Sequence, residues 1–500
     1  MKLFKSSQNW LSLAGITLAG ISAFIIFFLF LISVLFENSS SYLGLFTFIV
    51  APTFLVIGLI LIPIGMIINI RRDKKKKSSG KEGVWPIINF NDKKHKKAAL
   101  IFSGITLVFI VFSSIGSYEA FHYTESVKFC GTLCHNVMEP EFVAYQNSSH
   151  ARVACVECHV GSGADWYVKS KLSGLYQVWA VLTKIFPKPI PTPITSLRPA
   201  RETCEKCHWP QKFYARKLKV QKSFLADSLN TEWDVALQMK IGSTYSAMGL
   251  HEGIHWHINP DVKIEYISNT KDRESIPWVK LTNLKTGEIT IYNDEENVMD
   301  KKAMDTLKVR TMDCMDCHNR PSHIYKSPPN FVDDALTAGE VPKDLPFIKY
   351  VSMKYLKEIF TNKDTAIRYI RDSISNYYKT NLPEIYKLQK NLIEKAIAGV
   401  ITQFNKNEFP FMKVRWDAYP DHIGHLESDG CFRCHSNKHK SKTGKTISKN
   451  CNLCHTILAQ GKKANISATN IYDNLEFKHP KDIGRDWETY FCSECHRYLY

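Results

Sequence analysis

Seven short segments of the chain each carry two cysteines followed at once by a histidine, and together they contain all 14 cysteines. Two residues separate the cysteines in six segments, and three separate them in the first. Two thiols at this spacing can form thioethers to the vinyl groups of a haem, and the adjacent histidine can supply an axial imidazole to its iron. The segments therefore predict seven covalently bound c-type haems, and hence a protein that moves electrons. The cysteines are Cys130, Cys134, Cys155, Cys158, Cys204, Cys207, Cys314, Cys317, Cys431, Cys434, Cys451, Cys454, Cys492 and Cys495. The proximal histidines are His135, His159, His208, His318, His435, His455 and His496.

Other uses of cysteine fit this pattern less well. Zinc ribbons pair one cysteine pair with another and do not need a histidine after each. Disulfides do not require regular spacing, and iron–sulfur clusters need four thiolates each in a different arrangement.

An electron-transfer haem takes a second axial ligand, usually a histidine or a methionine. After the seven proximal residues, eleven of the 18 histidines remain, and one of these, His95, lies in a basic loop near the N-terminus. We expect the distal ligands to include His150, His257, His323, His425, His439 and His479. At least one of His251, His255 and His257 should bind an iron, and the latter two would face the same side of a strand. His122 is left open between a ligand and an interfacial residue.

Three apolar runs near the N-terminus, 11–36, 43–70 and 98–118, predict three membrane-spanning helices. Each is long enough for a hydrocarbon core that takes about 20 residues. The first is too long for the core of a signal peptide, so we expect an uncleaved anchor.

The basic loop 71–97 fixes the predicted orientation. It carries eleven Lys and Arg residues, whereas the segment 37–42 carries none. The positive-inside rule then places the N-terminus and this loop in the cytoplasm, and the haem motifs in the periplasm. The loop can also bind anionic lipid. The net charge of +17 does not indicate nucleic-acid binding here, because much of the remaining basic charge can pair with haem propionates.

The predicted fold is mainly α: three transmembrane helices precede a multihaem cytochrome c domain with long loops and a small β insertion. We expect a membrane anchor at 1–118, a three-haem region at 119–215, an insertion with a β-hairpin or three-stranded sheet at 216–313, and a four-haem extension at 314–500. Helical periodicity marks 344–404, with Ala366, Ile370 and Ile374 on one helix face and Leu388 and Ala396 on another.

The segment from Cys130 to His159 resembles the NapC/NirT family of membrane-anchored cytochromes, which take electrons from quinol. The resemblance rests on the first motif just after an apolar run, then Met138-Glu-Pro-Glu-Phe142, Ser148-Ser-His150 and the second motif, and it is specific over about 119–215. Seven haems and several spans are also similar to quinol-oxidising inner-membrane cytochromes of metal-respiring bacteria. The chain departs from the family in its three apparent spans and in its longer first motif.

The resemblance implies that a methionine after the first motif can bind the first iron. Met138 stands one position later than is usual, so both Met138 and His135 remain candidates for that ligand. A quinol site near the first haem would need proton acceptors and partners for the quinone oxygens. The candidates are Glu139, Glu141, Asp165, Lys169 and Lys171.

The predicted function is oxidation of quinol, such as menaquinol, with electrons passed through the haems to a periplasmic redox partner protein in anaerobic respiration. A terminal reductase of a small substrate is an alternative that would need an open axial position on one iron. A passive electron-transfer subunit of a larger complex is another. Whether the protein acts as an enzyme, and whether it forms an oligomer, stays open at this stage.

Overall fold

The computed structural model describes residues 9–35, 51–76, 90–161, 164–194, 198–209, 213, 216–242, 253–300, 304 and 306–498. The chain divides into two compact units, Met1–His135 and Asn136–Tyr500. Helices make up about half of the described residues, and the rest includes two sheets and long loops.

The N-terminal unit is helical. It contains α1 (Trp10–Leu35), α2 (Ala51–Lys76), α3 (Lys93–Glu125) and α4 (Val127–Thr132). Among the described residues, Trp10–Leu29 and Ala51–Arg71 are long and apolar enough to cross a membrane. The third predicted span falls within α3, where several side chains lie outside the description, so that span stays a prediction. The beginning of the second apolar run, 43–50, also lies outside the described residues.

Small residues let α1 and α2 pack closely. The Ser12 hydroxyl donates to the Ile62 carbonyl at 3.0 Å, and the Asn9 amide donates to the Gly65 carbonyl at 3.0 Å. A Cβ added at Gly58 would lie 2.7 Å from the backbone nitrogen of Ala19. In lipid the hydrophobic effect does not drive helices together. Apolar helices there commonly associate through glycine and serine, which let the two backbones approach closely.

The C-terminal unit begins with short helices that carry or flank the haem motifs. These are α5 (His135–Gln146), α6 (Cys155–His159), α7 (Ala164–Leu182) and α8 (Ala200–Cys204). The fourth, fifth and sixth motifs each begin in a 3-10 helical turn, Cys314–Asp316, Gly430–Arg433 and Cys451–Leu453. Two further short helices, α14 (Asp486–Thr489) and α15 (Cys492–His496), end the described chain.

Two antiparallel sheets replace the single small insertion that the sequence predicts. The first has four strands in the order β1 (Arg216–Phe224), β2 (Glu232–Lys240), β8 (His455–Lys462), β9 (Asn465–Ala468). The second has five, in the order β6 (Arg310–Thr311), β3 (Val262–Ile267), β4 (Trp278–Asn283), β5 (Ile289–Asp294), β7 (His439–Ser441).

Both sheets join residues from the predicted insertion to residues from the predicted four-haem extension. In the first sheet β2 pairs with β8, and in the second β5 pairs with β7. The expected three-stranded arrangement is present as β3, β4 and β5, but it is part of a larger sheet. The boundary drawn at 313 therefore does not separate independent sheets.

The main apolar core lies in five helices, α9 (Pro328–Thr337), α10 (Ile348–Leu356), α11 (Lys363–Asn381), α12 (Pro383–Leu388) and α13 (Lys390–Asn407). The helical periodicity predicted for 344–404 is present, and Ala366, Ile370, Ile374 and Ala396 are all fully buried. Leu388 is an exception: it is 82% exposed, because α12 ends at that residue and a new helix starts two residues later.

Candidate functional site

Six of the seven proximal histidines each lie opposite a second histidine. The ring centroids are 5.8 to 6.4 Å apart in all six pairs. Two nitrogen–metal bonds of about 2.0 Å, with about 1.1 Å from each nitrogen to its ring centre, add up to about 6.2 Å. The spacing thus fits one iron between two imidazoles. The pairs are His159 with His323, His208 with His150, His318 with His255, His435 with His257, His455 with His425, and His496 with His479.

One short element supplies two of these distal histidines. His255 and His257 lie in the 3-10 helix Ile254–Ile258, and their rings face His318 and His435 respectively. Residues two apart in such a helix point about 120° away from each other, because it has about three residues per turn. The sequence-based expectation that both rings share one side of a strand is therefore wrong, and His255 joins the candidate ligands.

Backbone carbonyls orient most of the distal rings. The Nδ1 atoms of His255, His257 and His479 lie 2.8, 2.7 and 2.8 Å from carbonyl oxygens, and that of His150 lies 3.3 Å from one. An Nδ1–H that donates to a carbonyl leaves Nε2 unprotonated and available to a metal. This arrangement fits the outer contacts that metal-binding histidines usually make.

His439 departs from the prediction. It is fully buried, with its Nε2 2.7 Å from the Ile276 carbonyl oxygen, while its Nδ1 has no hydrogen-bond partner in the described part of the chain. The cause is its place in β7, where it pairs with Asp294 of β5 and turns its ring into the sheet. The structure thus gives His439 a hydrogen-bonded role, although it follows the fifth motif closely in sequence.

Two other histidines have contacts that differ from those of the six pairs. His422 is buried, with its ring nitrogens 3.2 and 3.0 Å from the carbonyls of Asp316 and Asp272. His122 is exposed and contacts Tyr118 at 4.4 Å between ring centroids. His251 lies outside the described residues.

The first motif differs from the others in its local structure. Cys130 lies in α4, and Cys134 immediately precedes α5. Met138 is one turn into α5 and half-buried, whereas the side chain of His135 lies outside the description. The choice between Met138 and His135 therefore stays a prediction.

All 14 cysteines fall in the described part of the chain, and none forms a disulfide. No thiol pair is thus consumed by a disulfide, which agrees with haem attachment through thioethers.

Contacts between thiols place successive motifs side by side. Burial, and then the charges of Glu157, Cys155 and Cys207, raise the pKa of Cys158, so the second motif neighbours the third. The Cys204 and Cys314 thiols are hydrogen-bonded, which joins the third motif to the fourth.

The later motifs continue this order. Burial raises the pKa of Cys317 to about 12, and the charge of Cys431 in the fifth motif adds to the effect. Burial and then Cys431 likewise raise the pKa of Cys454 in the sixth motif to about 11. Cys492 of the seventh motif has Cys451 of the sixth among its charged neighbours. Motifs two to seven are therefore neighbours in sequence order.

The five candidates for a quinol site have different surroundings. Glu139 is partly exposed, and its carboxylate lies 2.9 Å from the Lys363 ammonium. Lys169 is exposed, with its ammonium 4.7 Å from the centre of the Trp166 ring. Lys171 is half-buried, and the side chain of Asp165 lies outside the description.

Glu141 is unsuited to accept a proton at neutral pH. Burial alone would raise its pKa, but hydrogen bonding to His323 and the charge of Arg320 lower it to about 2. Both carboxylate oxygens lie 3.2 Å from the Arg320 guanidinium. The structure thus gives Glu141 a fixed negative charge. The prediction that it accepts a proton from quinol is therefore not supported.

Comparison with known proteins agrees with these observations. Residues 91–189 match the N-terminal region of the NapC/NirT cytochrome c family. Over 488 residues the chain is 42% identical to the cytochrome c-type protein ImcH of Geobacter sulfurreducens (strain ATCC 51573 / DSM 12127 / PCA), covering 98% of this chain and 95% of that protein. No solved structure matches. The chain belongs to the NapC/NirT cytochrome c family, whose membrane-anchored members carry covalently bound haem and transfer electrons.

Proposed function

We propose that this protein is a membrane-bound cytochrome with seven c-type haems that oxidises quinol, such as menaquinol, and passes the electrons to a periplasmic acceptor. The observation that carries the proposal is the set of six facing imidazole pairs on motifs that adjoin one another in sequence order. Membership of a quinol-linked, membrane-anchored family supports the same reading.

The cysteine pairs would hold the haems, and the six histidine pairs would bind their irons from both sides. A haem with two imidazole ligands accepts and releases single electrons without an open position for substrate. The protein's contribution is to fix most of the distal rings by their Nδ1 hydrogen bonds and to hold most of the attachment cysteines partly buried. Cys434, for example, is half-buried, and burial raises its pKa to about 11.

The quinol end of this assembly should lie close to the first motif. Quinol oxidation releases two protons, so a titratable group must receive them. Glu139 remains a candidate because it is partly exposed and its ion pair with Lys363 is open to solvent. Lys169, Lys171 and Asp165 of α7 complete the proposed site.

The surface of α7 supports contact with lipid. Large apolar side chains are exposed along one side of it, including Leu172 (64%), Leu175 (69%), Tyr176 (65%) and Trp179 (60%). Lys169 and Lys171 lie on the same helix. An apolar face accompanied by lysines is typical of helices that lie in the surface of an anionic membrane.

The alternative of a terminal reductase is less well supported. Such an enzyme needs an iron with an open axial position. In motifs two to seven a second imidazole faces each proximal one, which leaves only the first motif for such chemistry. A passive electron-transfer subunit would have the same imidazole pairs, and only its lack of quinol activity would distinguish it.

The test is reduction of the purified, detergent-solubilised protein by a reduced menaquinone analogue, followed at the haem α-band. The proposal predicts reduction of the haems that is blocked by a quinol-site inhibitor. If the haems are intact and reducible by dithionite but the quinol analogue leaves them oxidised, quinol oxidation is rejected.

Orientation in the membrane needs a separate test. We propose that the basic loop 71–97 is cytoplasmic and that the haem-bearing residues 119–500 are periplasmic, as the positive-inside rule indicates. Protease added to intact spheroplasts should degrade this haem-bearing part. Cleavage only after the membrane is opened would reverse the proposed topology.

A further inference from the structure

The His323 imidazole has an outer contact unlike those of the other distal rings. Its Nδ1 lies 3.0 Å from a carboxylate oxygen of Glu141 and 3.0 Å from the same residue's backbone oxygen. The Nδ1 atoms of His150, His255, His257 and His479 each contact a backbone carbonyl. Those of His150 and His479 also lie near a serine hydroxyl and a backbone N–H, at 3.4 and 3.3 Å, which are likewise neutral groups. Among the described distal histidines, His323 therefore has an anionic acceptor where these four have neutral ones.

The Glu141 carboxylate is held firmly in this position. The Arg320 guanidinium lies 3.2 Å from both of its oxygens and donates through Nε to the His323 carbonyl at 2.6 Å. The guanidinium also lies 4.0 Å from the centre of the Tyr419 ring. The side chains of Glu141 and Arg320 are only 17% and 8% exposed. A buried, charge-paired carboxylate of this kind stays ionised and keeps one orientation.

We propose that Glu141 is a positioning residue that makes the centre between His159 and His323 more reducing than it would be with a neutral partner. A carboxylate that accepts the Nδ1 proton makes the imidazole a stronger electron donor, and this favours the oxidised state of a bound iron. The inference rests on the proposed ligation of the second haem. It gives that centre, which adjoins the first motif in sequence, a low potential suited to an early place in the electron path.

The pair of His425 and His455 provides a contrast within the same protein. Their ring centroids are 6.2 Å apart, and both Nδ1 atoms are buried with no hydrogen-bond partner in the described part of the chain. Without such an acceptor, neither ring gains electron density in this way. The outer contacts thus favour electron flow from the His159–His323 centre toward the His425–His455 centre.

The test uses the isosteric substitution Glu141→Gln in the full-length, haem-loaded protein. An electron paramagnetic resonance redox titration should show one of the low-spin haem signals at a more positive potential, with the others unchanged. We expect a change of at least tenfold in the one-electron equilibrium constant of that haem, which is about 59 mV. Glu394→Gln is the matched control, because Glu394 also pairs with an arginine, Arg371, but on the surface and away from any imidazole.

Glu141→Asp should return the potential toward the wild-type value, since it keeps the anion, and it provides a second test if the glutamine variant does not fold. An unchanged potential in a fully loaded Glu141→Gln protein, or the same shift in Glu141→Asp, would overturn the inference. The haem content and low-spin signals of the wild-type protein test the proposed ligation separately. Loss of those signals would refute the proposed function, whereas an unmoved potential would refute only the role of Glu141.

Discussion

Asp316 stands directly before the second cysteine of the fourth motif, at a position that the motif leaves free. Its side chain is 2% exposed and accepts hydrogen bonds from Tyr266 at 2.6 Å, Arg273 at 2.9 Å and Arg310 at 2.6 Å. Its second oxygen accepts from the Asp313 backbone at 2.7 Å. The carboxylate thus ties the fourth motif to strands β3 and β6.

Replacing this carboxylate should be strongly destabilising. Asp316→Asn removes a buried anion from two partly exposed guanidinium groups, of which Arg310 keeps a second partner in Asp313 at 3.0 Å. Breaking a fully buried pair typically costs about 3 to 5 kcal/mol, and we expect the loss here to lie at the lower end of that range. We expect a clear fall in the thermal denaturation temperature of the haem-loaded protein. Glu295→Gln, which removes an exposed pair with Lys440, should change the stability by less than about 1 kcal/mol. Equal effects of the two substitutions would contradict this role of Asp316.

His425 and His439 lie on either side of the fifth motif and should behave differently. Because His425 faces His455, His425→Ala should open one axial position and give one high-spin, carbon monoxide-binding haem in each chain. His439→Gln should leave every haem low-spin, with a loss of about 1 kcal/mol from its hydrogen bond to Ile276. Carbon monoxide difference spectra of both variants provide the measurement. Carbon monoxide binding by His439→Gln would show that His439 is a ligand.

The attachment residues can be predicted from the sequence alone, because each motif is local and contains its own chemistry. The sequence also points to His150, His323 and His479, which stand close to motifs. Nearness in sequence failed for His439, because a strand pairing that joins residues more than 140 apart turned its ring into the sheet. To predict that His255 faces His318, one would need to know that residues 254–258 form a 3-10 helix, because the alternation in that segment suggests a strand.

The helix pair α1 and α2 relies on a close contact between small residues. A side chain at Gly58 would collide with backbone atoms of Gly15 and Ala19, whereas a Cβ at Gly20 meets nothing within 4 Å. The two helices can be predicted from composition, since a long apolar run in a membrane has few alternatives to a helix. The register between the helices cannot, because it depends on which small residues of one helix contact the other.

Gly58→Val should therefore separate α1 and α2, whereas Gly20→Val should be tolerated. Overpacking of this kind typically costs about 1 to 3 kcal/mol. We expect the Gly58 variant to denature at a lower temperature in detergent and to be cleaved faster by protease in the N-terminal unit. Similar behaviour of the two variants would mean that the contact between Gly58 and α1 is not formed in the membrane.

The four-stranded sheet provides a second test at this scale. The strand β2 pairs along its length with β8, from Trp233 with Lys462 to Met239 with His455. A chain that ends after residue 450 loses β8 and β9 and leaves the edge of β2 unpaired, and exposed edges promote aggregation. A chain that ends after residue 478 keeps both sheets and loses His479, the short helix α14 and the last motif.

We expect the longer truncated chain to fold with six haems and the shorter one to be degraded or to aggregate. Haem-stained gels and size-exclusion chromatography of both chains would show the difference. If the chain that ends after residue 450 is soluble and holds five haems, the sheet does not join the two parts of the protein as described.

At the scale of the whole molecule, the sites of the second to sixth motifs depend on other parts of the chain, whereas the seventh is local. His323 follows the fourth motif but faces the proximal histidine of the second, and His150 precedes the second motif but faces that of the third. The 3-10 helix 254–258 serves the fourth and fifth motifs together. The sites of the second to sixth motifs share elements in this way and should load and fold as one cooperative unit.

The same long-range pairing explains why boundaries between domains are hard to predict from this sequence. Motifs follow one another along the chain, so the sequence suggests a series of modules. The sheets and distal ligands instead connect residues from both sides of each predicted boundary. Only the division between the membrane anchor and the haem-bearing part has a clear signal, in the change from apolar runs to polar sequence.

The central claim is that two histidines hold the iron of each haem from the second to the seventh. Near-infrared magnetic circular dichroism of the oxidised, full-length protein tests it most directly, since it distinguishes and counts the ligand pairs of low-spin haems. The account predicts six bis-histidine haems in each chain and one further haem whose ligands involve the first motif. Fewer than six bis-histidine haems in a fully loaded protein would contradict it.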